Sequence, residues 1–270
     1  MSVARSKEIS LLLNAIHTYY GYDLSGYSQS FIKRRLYSYL RDEKIKLPEL
    51  IVKIIQDSDF FYEFFQNFSI QFTEMFRDPS VFKMIRETIM RELTSYAVLN
   101  VWHVGCASGE EAYSLAILLH EVGLLDKSTI YATDINHVAL KKAMKGAVSL
   151  EKLRAYSKNY ALAGGTDILM NYFDQKGSEW IIKDFIKKRI TFAYHNILSD
   201  GGFCETNLVF CRNVLIYFND SFQKKALQTI FQSIGYLGYL ILGDREMLNS
   251  EDKEIFKPLC PTNKIYRKVK

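Results

Sequence analysis

Adjacent carboxylates, Glu110 and Glu111, follow a turn bracketed by Gly105 and Gly109, and Asp134 closes an apolar run farther along. Acids so placed accept hydrogen bonds and attract cations. No Lys-Ser/Thr pair follows the second glycine, so the turn is not a phosphate-cradling loop, and paired carboxylates at a helix start would repel a triphosphate. An acid at the end of the next strand suits the hydroxyls of a ribose. Alone, G-x-x-x-G equally describes an ordinary strand-to-helix connection. The acids narrow the ligand to a nucleoside that carries positive charge and no phosphates.

These side chains need strands that end together. Val101 to Val104 is apolar, and Leu115, Leu118, Leu119 and Val122 recur at helical spacing up to Gly123, which predicts strand, tight turn and helix. Further strands are expected at Ile130 to Thr133, at Ile190 to Tyr194 before His195 and Asn196, at Leu208 to Cys211 before Arg212, and at Tyr239 to Leu242, with a final edge strand at Lys264 to Val269. Helices are expected at Ala139 to Met144 and Asp220 to Ile234. Alternation of this kind implies a doubly wound, largely parallel α/β sheet, with Gly105, Asp134, Asn196 and Arg212 opening on one edge. Between Gly146 and Lys188, the turn formers Gly164, Gly165, Gly177 and Ser178 separate short apolar pieces, which fits an inserted antiparallel subdomain. S-adenosylmethionine is a nucleoside of the expected charge, and the edge of such a sheet is where it would lie.

The N-terminal part reads as helical throughout: Ser6 to Tyr20, about Ser30 to Glu43, and a Phe-rich continuation from Leu47 to Phe68. The second helix sets Ile32, Leu36, Tyr39 and Leu40 against a cationic face of Lys33, Tyr37, Arg41 and Lys44, either solvated or a dock for an acidic partner. Ahead of the α/β region, Asp78 before Pro79 predicts a helix start capped by the Asp side chain, with Thr73, Glu74 and Arg77 on the irregular segment before it.

Bulk properties limit the alternatives. With 270 residues, 48% hydrophobic and 24% charged, the chain supports two globular parts, and a net charge of +5 is too mild for a nucleic-acid tail. Its four cysteines show no C-x-x-C pair or metal spacing, so a reducing cytoplasm is expected. No apolar run reaches the ~18 residues of a membrane span, and Leu11 to Ile16, broken by Asn14, is no signal peptide. The five histidines form no H-x-x-x-H pair, so no metal is expected, and His103 reads as a strand residue.

The motifs F-T-E-M-F-R-D-P at 72–79, G-C-A-S-G-E-E-A-Y-S at 105–114, A-T-D-I at 132–135, H-N-I-L at 195–198 and F-C-R-N-V-L-I-Y-F at 210–218 stand together in one chain. In these the sequence resembles the CheR-type chemoreceptor glutamate methyltransferases over nearly its whole length. The resemblance implies an N-terminal all-helical domain (1–70), a linker contributing to the site (71–80), and a Rossmann-like S-adenosylmethionine domain (81–270) with a small inserted β-subdomain (147–189). It implies cofactor contacts from Gln71, Thr73, Arg77, Glu111, Asp134, Asn196, Ile197, Cys211 and Arg212. Arg77 would also face the substrate carboxylate, and Tyr217 would stand near the reaction centre. The family commonly carries Asn at the position of Gln71, Thr at Ser108 and Pro at Ala112.

The implied reaction is O-methylation of glutamate side chains on cytoplasmic receptor helices, with S-adenosylhomocysteine as product and the enzyme a monomer. Lys33, Arg34 and Arg41 would meet the acidic helices. The alternatives are a methyltransferase of the same fold with another protein or RNA acceptor, and a non-catalytic cofactor-binding scaffold. RNA is disfavoured because the basic residues are not clustered with an aromatic platform.

Overall fold

The structure, a computed structural model, describes residues 3–68, 73–202 and 204–270. It divides into two compact units, Met1–Gln71 with Tyr217–Lys225, and Phe72–Ile216 with Ala226–Lys270.

The first unit is built on helices Val3–Tyr20, Gln29–Asp42, Leu47–Gln56 and Ser58–Phe68. Its core joins Leu12, Ile16, Ile32, Leu36, Leu50, Ile54, Phe61 and Phe64, all buried, and the Tyr20 ring stacks on Phe61. The helical stretch expected from Leu47 to Phe68 is two helices. Asp57 is extended between them, and its Oδ1 accepts the amides of Asp59 (2.9 Å) and Phe60 (3.0 Å), starting the second of them. Residues Tyr217–Lys225 join this unit through an antiparallel bridge of Tyr27 with Phe218, and the Phe222 ring lies where a side chain on Gly26 would be.

The second unit holds strands β1 (Leu99–Val104), β2 (Ser128–Asp134), β3 (Ala147–Ser149), β4 (Phe173–Lys176), β5 (Glu179–Ile182), β6 (Ile190–Tyr194), β7 (Thr206–Cys211), β8 (Ile234–Leu242), β9 (Phe256–Cys260) and β10 (Ile265–Lys268). Seven form one sheet in the order β6-β2-β1-β7-β8-β10-β9, parallel from β6 through β8. Chain order runs outward from β1 in both directions, so a topological switch point lies between β1 and β7. Helix Glu110–Glu121, buried along nearly its whole length, packs on this sheet. The final strand is not the edge: β10 lies between β8 and β9, antiparallel to both. The edge is β9, which the sequence reading left unassigned and which carries Pro258, a residue sheets accept at their edges.

The small antiparallel sheet β3-β5-β4 occupies the expected inserted region. Helix Leu150–Leu162, capped by Ser149, was not expected there, although its buried Leu153, Tyr156 and Tyr160 sit at helical spacing. This region is tied to the main sheet's helix by Glu121. Its carboxylate accepts Tyr160 Oη, Tyr172 Oη (3.0 Å), the Thr166 amide (3.1 Å) and the Arg86 guanidinium. Burial pushes the Glu121 carboxyl up, but the bonds from Tyr160, Arg86 and Thr166 win and hold it below its ordinary value. Replacing it by Gln leaves Arg86 without its counter-charge and should cost about 3 kcal/mol in urea unfolding at neutral pH. A carboxyl with a depressed folded value stabilises above its ordinary value of 4.5 and loses that contribution as pH falls below it. The gap between wild type and Glu121→Gln should therefore narrow in acid.

Candidate functional site

The ends of β1, β2, β6 and β7 lie side by side, as expected, and each delivers a polar group. After β1 the chain turns through Gly105, Ala107 and Gly109 at φ +65°, +47° and +88°. A Cβ on Gly105 would meet Val214 Cγ2 at 2.5 Å, so the position needs glycine for space as well as conformation. Asp134 holds this turn from the end of β2. Its Oδ2 accepts the Ala107 amide (2.8 Å) and its Oδ1 the Asn136 amide (2.8 Å), leaving lone pairs on both oxygens. Burial nevertheless lifts the Asp134 carboxyl above the usual range. The His195 amide donates to the Asp134 carbonyl (3.2 Å), joining the end of β6 to that of β2. Asn196 caps its own turn, with Oδ1 accepting the Leu198 amide (3.0 Å), and Ile197 is buried.

Arg212, with Cys211 the last group of β7, gathers the remaining residues. Its Nη1 donates to Glu111 Oε2 (2.5 Å) and to the Arg77 carbonyl (3.1 Å), and its Nη2 pairs with the Asp78 carboxylate. Glu111 Oε1 meets His103 Nε2 at 3.1 Å. Burial opposes a charged Glu111, yet Arg212 first, then His103 and Arg77, hold it below its ordinary value, so it is an anion at neutral pH. The Cys211 thiol is fully buried and pushed up by that burial, which leaves it neutral and poorly nucleophilic.

One expectation is corrected here. Asp78 does not cap the helix that opens at Pro79: it stands at φ +53° with no side-chain bond to that helix, because its carboxylate is drawn to Arg212. Phe76 is also left-handed, at φ +52°, and its ring is buried against Phe82 and Tyr160. Two non-glycine residues in this conformation flank Arg77, a strain that the surrounding contacts must sustain. The Phe76 amide donates to Ser114 Oγ (2.8 Å), and Asn159 Nδ2 donates to the Met75 carbonyl (3.2 Å). The segment bearing Arg77 is thus fixed from helix Glu110–Glu121, from helix Leu150–Leu162 and from the end of β7.

Arg77, Glu111 and Arg212 are therefore in one network, Asp134 and Asn196 lie on adjoining strand ends, and Thr73 starts the segment of Arg77, half-buried. Gln71 lies outside the described residues. Tyr217 belongs to the first unit, where its carbonyl accepts the Ser28 amide (2.8 Å) and its ring packs on Phe31, 4.9 Å between centroids. On helix Gln29–Asp42, Arg34 and Arg41 are exposed and Lys33 is half-exposed. Arg41 pairs with Asp42 at 3.1 Å, and the neighbouring Arg35 turns back to donate to the Phe68 carbonyl (2.9 Å). Among the described residues, no group of three or more His, Cys, Asp or Glu is placed to hold a metal ion.

The sequence reading missed Glu246. This buried carboxylate accepts four amides: Val214 (2.8 Å) and Leu215 (2.7 Å) on Oε1, Gly243 (2.6 Å) and Asn213 (2.9 Å) on Oε2. It thereby shapes the turn after Arg212 that seats Val214 over Gly105. Parallel neighbours β7 and β8 bring the residues after each strand together, so an acid just past β8 was the available signal. Replacing Glu246 by Gln turns an NH2 toward amide donors and should destabilise the protein by about 3 kcal/mol, read as a lower urea midpoint.

The chain is similar to known methyltransferases. The domain described as the CheR methyltransferase SAM-binding domain matches residues 71–265, and the CheR methyltransferase all-alpha domain matches residues 7–69. A Pseudomonas putida protein named as a methyltransferase, Cher3, is 40% identical over 97% of this chain and 96% of its own. The chemotaxis protein methyltransferase 1 of Pseudomonas aeruginosa is 32% identical over 72% of this chain and 73% of its own. That of Listeria monocytogenes is 29% identical over 86% of this chain and 87% of its own.

Proposed function

The chain belongs to the CheR methyltransferase family and its cofactor is S-adenosylmethionine, and on that premise we propose that it methylates glutamate side chains of chemoreceptors. The observation that carries the reading is the set of parallel strand ends that puts the Gly105 turn, Asp134, and the Glu111–Arg212 pair on one edge. These groups suit the cofactor: Asp134 has lone pairs for ribose hydroxyls, and the anionic Glu111 suits the ammonium of the amino-acid arm. Asn196 and Ile197 take the adenine side, Cys211 borders the methyl group, and Thr73 contributes from the segment that bears Arg77.

When bound, the cofactor supplies an electrophilic methyl on a sulfonium. The chain must bring a carboxylate oxygen in line with that methyl at about 3 Å and keep water out. A glutamate, with an ordinary pKa near 4.3, is already an anion at neutral pH, so no residue need act as base. With the cofactor held by Asp134 and Glu111, its methyl would pass to that oxygen, and the products would be a methyl ester and S-adenosylhomocysteine. Arg77 orients the attacking carboxylate through its forked donors. Positioning, rather than full neutralisation, keeps the oxygen nucleophilic. Lys33, Arg34 and Arg41 favour acidic receptor helices in the cytoplasm.

Transfer from S-adenosylmethionine labelled in its methyl group, with receptor-containing membranes as acceptor, tests this reading. Label released by mild alkali supports a carboxyl methyl ester, whereas alkali-stable label excludes it. The 40%-identical relative is named as a methyltransferase, and a second reading keeps that activity with another protein acceptor. Alkali-labile label on a soluble protein and none on receptors would select it.

A further inference from the structure

His103 was read as a strand residue, and it is one, in β1, but it also ends the network that runs from Asp78 through Arg212 and Glu111. Both partners of the His103–Glu111 contact are buried, with side chains 3% and 6% exposed. The imidazole lies parallel to the Phe210 ring, 5.8 Å between centroids and 11° between planes, which fixes its plane from the neighbouring strand β7. Its buried Nδ1 has no hydrogen-bond partner among the described residues, while Nε2 faces Glu111, so Nε2 carries the proton of that contact. Nothing in binding a nucleoside demands a histidine at this place. Its effect is on Glu111: one carboxylate oxygen is held by His103 and the other by Arg212, so the group cannot rotate.

We propose that His103 is a positioning residue for the cofactor site, its Nε2–H locking the Glu111 carboxylate in the rotamer that receives the ammonium of the cofactor's amino-acid arm. This rests on the reading of Glu111 as a cofactor contact. The anionic state of Glu111 agrees with it, since His103 is one of the groups that hold that carboxyl down. His103 touches no reacting atom, so its loss acts through affinity for one part of the ligand and not through the chemical step.

The test is calorimetric titration of the full chain with two thioether ligands, S-adenosylhomocysteine, which has the amino-acid arm, and 5′-methylthioadenosine, which lacks it. His103→Leu should weaken S-adenosylhomocysteine about tenfold, the scale of one hydrogen bond to a charged group, and leave methylthioadenosine within about twofold. His103→Gln, which keeps an N–H donor, should recover most of the loss. Equal weakening of both ligands would mean a structural role and overturn the proposal. Glu111→Gln separates the two levels, and His103→Ala serves if His103→Leu folds poorly. If Glu111→Gln weakens only the ligand with the arm, Glu111 is the contact. The proposal then stands if His103→Leu or His103→Ala does the same and falls if neither does. If Glu111→Gln binds both ligands like wild type, Glu111 is no contact and the proposal falls with it.

Discussion

Arg77→Ala should lower the rate of methyl transfer at saturating cofactor by at least about a hundredfold, because orienting a charged reactant contributes on that scale. It should weaken S-adenosylmethionine binding far less than it slows transfer, and it should leave the fold intact. The Arg77 carbonyl is held by Arg212, and an alanine keeps that carbonyl. The left-handed residues on either side, Phe76 and Asp78, are held by contacts that do not involve the Arg77 side chain. Single-turnover kinetics beside calorimetry separates the two effects. Near-normal transfer would remove Arg77 from the mechanism.

Arg212→Leu should do the reverse and damage the fold first. The guanidinium is 1% exposed and serves two carboxylates and a carbonyl, so its removal leaves the buried Glu111 without its main counter-charge. Breaking a buried pair from one side costs about 3 to 5 kcal/mol. The part due to Asp78 is the smaller, since that carboxylate is half exposed and screened by water. A fall of this size in unfolding free energy, with weaker cofactor binding in whatever remains folded, is the expected result. Arg212→Lys restores a charge but not the fork that spans Glu111 and Asp78, and it should recover less than half of the loss.

What could be read in the sequence was what local chemistry dictates. Gly105 and Gly109 announced their turn because their positive φ is a property of the residues themselves, and β1, β2, β6 and β7 were legible as apolar runs with polar ends. Their common edge followed from the alternation of strands and helices. What was not legible depends on partners distant in the chain. Asp78 has the sequence signature of a helix cap and is claimed instead by Arg212, and the four amides that Glu246 accepts include three some thirty residues away. Helix Leu150–Leu162 was hidden by the glycines that follow it, and β9 by its brevity and its proline. Local cues marked the ligand's edge of the sheet, while the groups that hold that edge in shape came from the topology.

A crystal structure of the chain with S-adenosylhomocysteine tests the central claim most directly. The expected result is the nucleoside above the Gly105 turn, its ribose hydroxyls about 2.6 to 3.2 Å from the Asp134 carboxylate and its ammonium beside Glu111. A nucleoside bound elsewhere, or one at this edge that leaves Asp134 and Glu111 without contact, would contradict it.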